Sequence, residues 1–333
     1  MNNAKQSILN TRRCTLSKFD RAPQRRWVYL LFASLLTSLT TQAEVTVTKA
    51  NQWGSGLYFD VFVADDYLYA ATGTTGLDII NISNPAKPIW VGNYDTAGLV
   101  WSVAVAGTDG EDGLIVIDIS KPATPKQVGQ YDTSGSAYGV AVVGNYAFVA
   151  DYMAGLQVID ISNPAAPKLI ENHDTVGLAV DVAVAGNYAF VADGEAGLQM
   201  IDISNPATPK LISNYDTAGS AQGVAVAGNY AFVADYSGGL QVIDISNPAI
   251  PIFVSGYDTE GSAYGVTVAG DYAFVADRTS GLQIINISNP ATPKLAGSYD
   301  TAGYAQGVAV AGNYAFVADY TDGLQVIELM PII

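Results

Sequence analysis

"GLQVIDISNP" occupies Gly155–Pro164 and returns letter for letter at Gly239–Pro248, with "GLQMIDISNP" between them at Gly197–Pro206. The phrase recurs every 42 residues, as do Asp132, Asp174, Asp216, Asp258 and Asp300, each followed by Thr. A period of about 40–45 residues is the length of one four-stranded propeller blade, although helical repeats of similar length exist. The pattern inside one unit has to decide.

Within one unit, "YGVAVVG" (Tyr138–Gly144) alternates small and branched apolar residues, and "NYAFVAD" (Asn145–Asp151) follows a Gly-Asn turn signal. "GLQVIDIS" (Gly155–Ser162) is rich in β-branched residues, and "PKLIENHDT" (Pro167–Thr175) closes the unit. Each run is too short for an amphipathic helix and is bounded by Gly, Asn or Pro. Gly-Asn suits a hairpin because both residues tolerate positive φ. Pro164 and Pro167 stiffen the loop before the last strand. The unit reads as four antiparallel strands.

A sheet apolar on both faces is stable only when both are covered, and radial stacking covers both. First strands fall near Phe59, Trp101, Tyr138, Val180, Gln222, Tyr264 and Gln306. The expected architecture is therefore an all-β, seven-bladed propeller over residues 44–333. The seventh unit ends at "GLQVIELMPII" without a fourth strand, and "EVTVTKAN" (Glu44–Asn51) supplies the match. That N-terminal strand is expected to close the ring. Between Asp95 and Asp132 the spacing falls to 37, and "TDGED" stands where "NYAFVADYSG" stands in a normal unit. The second blade is thus expected to be short, with three strands or with rearranged flanks.

The repeated "L-Q-V-I-D-I-S-N-P-x-x-P" resembles the LVIVD repeat family of bacterial and archaeal secreted or cell-surface proteins. The resemblance covers nearly the whole chain after residue 43. It implies a β-propeller in an extracytoplasmic setting and says little about activity, since such folds host many functions.

Residues 1–43 have the form of a secretory signal, with an Arg-rich start ending in Arg25-Arg26, an apolar run Trp27–Leu36 and Thr41-Gln42-Ala43 as a small-residue cleavage site. The adjacent pairs Arg12-Arg13 and Arg25-Arg26 leave both the Sec and Tat routes open. The apolar run is shorter than the roughly 20 residues of a spanning helix. The segment also holds Cys14, the sole cysteine, seven of the 15 basic residues and one of the 31 acidic ones. Residues 44–333 carry eight basic against 30 acidic residues, with Arg278 as their only arginine. Such a surface repels phosphate backbones and anionic lipid, so nucleic acid is excluded as a partner. Disulfides and thiol chemistry are excluded too.

Catalytic constellations are scarce. His173 is the only histidine and takes a slot filled by Tyr94, Tyr131, Tyr215, Tyr257 and Tyr299 elsewhere. One histidine builds neither a Ser-His-Asp set nor a His-based zinc site. Asp118, Asp160, Asp202 and Asp244 share their slot with Asn81, Asn286 and Glu328. Asn accepts hydrogen bonds but does no acid–base work, so the slot calls for an acceptor. Asp151, Asp193, Asp235, Asp277 and Asp319, with Thr72 as their counterpart, read the same way. Asp109, Glu111 and Asp112 in "TDGEDG" are a calcium candidate without the regular alternating spacing of a calcium loop. No cofactor is expected.

Positions that differ between otherwise copied units are the best candidates for an asymmetric site. They are Phe59, Trp101, Tyr138, Val180, Gln222, Tyr264 and Gln306, followed by Asp60, Ser102, Gly139, Asp181, Gly223, Gly265 and Gly307, all at inner-strand entrances. The site candidates among them are Phe59, Asp60, Trp101, Tyr138, Asp181, Gln222, Tyr264 and Gln306. Aromatic anchors beside carboxylates suit a sugar or a peptide. The expected function is a non-enzymatic, monomeric extracytoplasmic binding or scaffold module for a protein, peptide or glycan. Its competitors are a carboxylate- and tyrosine-based polysaccharide hydrolase or lyase, and a structural surface-layer component.

Overall fold

A computed structural model of the chain describes residues 45–54, 56–96, 98–104, 107–109 and 113–330, with the backbone alone at 107–109. The expected signal segment, residues 1–43, lies outside the described residues. Every regular element described is a β-strand.

The unit beginning at Gly139 shows how the repeat folds. Gly139–Val143, Tyr146–Ala150, Leu156–Asp160 and Lys168–His173 pair in sequence order, all antiparallel. Val143 lies opposite Tyr146, so Gly144 and Asn145 alone make the first turn, with Gly144 at φ 59°. A glycine at the first of two turn positions matches strand twist without steric cost. The first unit places Asp65 there instead, at φ 51°. Fourth strands join after a one-residue register shift, between Val158 and Ile159 in this unit, which adds twist.

Stacking covers both faces. Phe148, Leu156 and Val158 of this unit pack with Val182, Val191 and Ile201 of the next. Phe148, Phe190, Phe232, Phe274 and Phe316 fill the same buried slot in successive units. Between the last unit and the first, Phe316, Leu324 and Val326 pack with Val61, Leu68 and Ile80. The result is a β-propeller.

The N-terminal strand lies where the missing fourth strand requires it. Thr46–Trp53 pairs antiparallel with Leu324–Met330, from Thr46 opposite Met330 to Trp53 opposite Leu324. The strand thus runs two residues later than the expected Glu44–Asn51. Val45 just before it is buried and donates its N–H to the Ala296 carbonyl at 2.8 Å.

Six sheets are regular four-stranded antiparallel blades. The second unit forms a smaller sheet, Val100–Val103, Gly107–Asp109, Gly113–Asp118 and Lys126–Tyr131. Its fourfold strand order survives the deletion because the second strand shrinks to three residues. A small apolar void of about 20 Å³ between Phe62, Tyr69, Leu77, Val103 and Ile117 remains beside it.

Candidate binding site at the channel mouth

The entrance residues of the inner strands of successive units meet around one cavity. Phe59, Asp60, Trp101, Tyr138, Asp181, Gln222, Tyr264 and Gln306 all line a single central cavity of about 120 Å³, together with Val180. These eight are the site candidates chosen from the positions that vary between units, and Val180 is another of those positions. Close approach of main chain explains the small residues next to them. A Cβ on Gly265 would stand 2.5 Å from the Gln306 carbonyl oxygen, and one on Gly223 would stand 2.6 Å from that of Tyr264.

Asp60 and Asp181 break that glycine pattern and tie neighbouring blades together. Asp60 accepts from its own neighbour Val61 N at 2.8 Å, and across the gap from Ser102 Oγ at 2.9 Å and Val103 N at 3.0 Å. Asp181 accepts from Val182 N at 2.8 Å and from Val224 N of the next blade at 2.9 Å. Burial in the channel wall pushes the Asp60 carboxyl up to about 6; those hydrogen bonds oppose the rise and the charge of Asp181 adds to it. Burial raises Asp181 as well, against its two backbone hydrogen bonds. Both carboxylates therefore serve as acceptors within the fold.

Against the candidate rings stand further side chains, Tyr152, Tyr236, Arg278, Tyr304 and Tyr320, which the sequence-based candidates did not include and which complete a collar. The residue after each second-strand aspartate lies left-handed: Tyr152 at φ 51°, Gly194 at 59°, Tyr236 at 49°, Arg278 at 43° and Tyr320 at 47°. Gly73 takes the corresponding position after Thr72, at 57°. These positions pair across the blade gaps, with Tyr152 opposite Ala179 and Arg278 opposite Ala305. Ring centroids of Phe59 and Trp101 are 4.4 Å apart, Trp101 stacks on Tyr138 at 5.1 Å, and Tyr138 meets Tyr152 at 5.0 Å. Tyr320 continues the line, 5.4 Å from Phe59 and 6.4 Å from Tyr304. The Arg278 guanidinium lies 5.4 Å from the Tyr264 ring centre, 5.6 Å from Tyr304 and 6.0 Å from Tyr236. A wider opening of about 640 Å³ adjoins the inner cavity between Tyr138, Tyr152, Glu195, Ser220, Gln222 and Tyr264. The signal for this collar was the residue following "VAD", which varies as Tyr, Gly, Tyr, Arg and Tyr in an otherwise copied frame.

The two repeated acceptor slots build the frame. Asp151, Asp193, Asp235, Asp277 and Asp319 are fully buried. Each accepts a Thr hydroxyl of the preceding Asp-Thr turn at 2.5–2.7 Å and a Gly N–H at 2.7–3.1 Å. Burial raises their carboxyls above the usual range against those bonds. Asp118, Asp160, Asp202 and Asp244 accept from the Ser N–H two residues on, at 2.8–2.9 Å, as Asn81 and Asn286 do at 3.0–3.1 Å. His173 stands opposite Leu156 as Tyr215 stands opposite Leu198. Of the calcium candidates, Glu111 and Asp112 lie outside the described residues, as does the Asp109 side chain. Among the described residues no cluster of three His, Cys, Asp or Glu is arranged to hold a metal ion, and no helix is long and apolar enough to cross a membrane.

The LVIVD repeat model matches residues 56–96, 97–133, 134–175, 176–217, 218–259, 260–301 and 302–328. The chain belongs to the LVIVD repeat family. No curated protein matches this LVIVD-repeat chain. Solved propellers share its fold at low identity. The β-propeller domain of Cps50 (Swd1) from Myceliophteria thermophila is 12% identical, with a TM-score of 0.71 over 85% of this chain and 99% of that one. The WD40 domain of Neurospora crassa Pan2 is 12% identical, with a TM-score of 0.67 over 86% and 96%. The computationally designed Ika8 protein is 8% identical, with a TM-score of 0.63 over 84% and 99%.

Proposed function

We propose that this LVIVD-repeat propeller is an exported, non-enzymatic binding module, and that its partner docks at one mouth of the central channel. In this reading the six regular blades and the smaller second sheet make a seven-bladed ring, and residues 1–43 are removed on export. The carrying observation is convergence. Eight positions at which the copied units disagree line one central cavity, and most of the bulky ones are aromatic. Repeated positions hold the frame through buried Asp–Thr–Gly contacts, whereas varied positions face the opening. Rigid aromatic side chains in a concave, partly desolvated setting are the usual anchors of recognition. The chain's strong negative charge after residue 43 favours a partner other than nucleic acid or anionic lipid.

The test uses residues 44–333 as bait against an extracytoplasmic extract, beside the double variant Trp101→Ala, Tyr264→Ala. The expected result is a partner captured by the parent chain and lost with the variant, whose melting curve stays cooperative. Capture that survives the double substitution places the site on the opposite face or the blade rims.

A further inference from the structure

Arg278 is the only arginine after residue 43, and it stands at the one collar position that breaks the Tyr-or-Gly rule of its counterparts. Gly73 and Gly194 show that the fold is satisfied there without a side chain. Holding a bulky residue at φ 43° is unfavourable, and such outliers concentrate at functional sites. The guanidinium is surrounded by Tyr236, Tyr264 and Tyr304 and has no carboxylate partner among the described residues. Aromatic faces fix its plane and leave its N–H donors for a ligand. A planar donor fork of this kind matches a carboxylate, which accepts two parallel hydrogen bonds.

The surroundings decide what carries that carboxylate. An extended peptide that binds by strand addition needs a free sheet edge, and the collar's main chain is already paired. Tyr236 and Ala263 exchange both hydrogen bonds at 2.9 Å, and Arg278 and Ala305 do so at 3.1 Å. Recognition is left to ring faces, tyrosine hydroxyls and the side chains of Ser220 and Gln222 in the adjoining 640 Å³ opening. Flat rings and scattered hydroxyl partners suit a pyranose, and the opening, which shares Tyr264 with the Arg278 cluster and is also lined by Glu195, has the volume of a small-ligand site. We propose that the collar binds a carboxylate-bearing sugar, with a uronic acid carboxylate on Arg278 and its ring against Tyr236, Tyr264 and Tyr304. This inference rests on the channel-mouth reading above and names its ligand class.

Residues 44–333 would be titrated by calorimetry with trigalacturonate, with neutral maltotriose, and with trialanine, which offers a carboxylate on a peptide. Arg278→Tyr is the chief variant, because three counterpart positions already carry Tyr and the fold is therefore retained. Arg278→Lys keeps the charge and loses the fork. The expected result is trigalacturonate binding at least tenfold tighter than either comparison ligand. Its affinity falls at least tenfold in Arg278→Tyr and falls less in Arg278→Lys. Equal affinity for the acidic and neutral sugars, no binding of trigalacturonate, or an unchanged affinity in Arg278→Tyr would overturn the proposal. Tighter binding of trialanine would overturn the sugar assignment. If trigalacturonate fails while a captured partner is still lost with Trp101→Ala, Tyr264→Ala, only this inference falls and the channel-mouth reading stands.

Discussion

Replacing Asp60 by Asn is expected to make the protein's stability respond to pH differently from the parent, in a direction fixed by the geometry. In the folded chain the Asp60 carboxyl sits in the channel wall between two blades and titrates near 6, against an ordinary value of 3.8. A raised folded value means that the native state holds the proton more tightly than the unfolded chain. The corresponding stability is fully present below about pH 4 and is lost as pH rises through about 6. At about 1.4 kcal/mol for each tenfold change in proton affinity, the loss approaches roughly 3 kcal/mol at neutral pH. For a propeller of this size that is a Tm change of about 5 °C. Asn is always neutral and keeps one acceptor oxygen for Val103 N or Ser102 Oγ, so it lacks this term. The difference in Tm, parent minus Asp60→Asn, should therefore fall by about 5 °C between pH 4 and pH 7.5. Asp181→Asn should change it in the same direction, since burial is the leading cause there too. Thermal melts followed by circular dichroism at half-unit pH steps make the measurement. A difference that stays flat across this range would refute the claim that the carboxyl is held in a desolvated wall.

Deleting residues 45–53 strips the fourth strand from the last blade, uncovers Leu329 and removes buried Val45; a Tm fall of roughly 10 °C is expected, and an unchanged Tm would deny that the strand closes the ring. Asp151→Ala leaves the Thr133 hydroxyl, the Gly135 N–H and the Gln157 amide without their acceptor. It should cost about 3 kcal/mol or more, whereas exposed Asp118→Ala should leave the melting curve nearly in place, and equal effects would contradict the buried frame. Tyr236→Gly relieves a left-handed tyrosine and should raise stability by about 1 kcal/mol, or about 2 °C in Tm; a fall would show that the ring's packing outweighs its backbone strain.

Much of the fold was legible because the repeat states each local rule several times. Five Asp-Thr pairs at one spacing fixed the period, and alternation with Gly-Asn turns fixed the strands. Inner-strand residues such as Phe59 and Gln306 were legible as a set, since their variation stood out against copied neighbours. The collar was not. Tyr152 and Arg278 follow "VAD" in what reads as a polar surface turn, and neither residue type signals positive φ. Only the blade-to-blade pairing at Ala179 and Ala305 turns them over the axis, and that is a tertiary contact between units. The second unit was half legible. Its missing residues announced a short strand, but pairing of Gly107–Asp109 depends on neighbours that no local pattern encodes.

The register of Thr46 opposite Met330 also sets an order of events. The other sheets each draw their four strands from about forty consecutive residues, so their hairpins close over short loops and can form while the rest of the chain is still extended. The last blade alone joins opposite ends of the propeller, and its outer strand has no partner until Leu324–Met330 has been made and its own hairpin folded. Ring closure is therefore expected to come last in assembly. Before it, Val45 and the edge of Leu324–Met330 would be open to a second chain, the arrangement from which two copies can exchange strands.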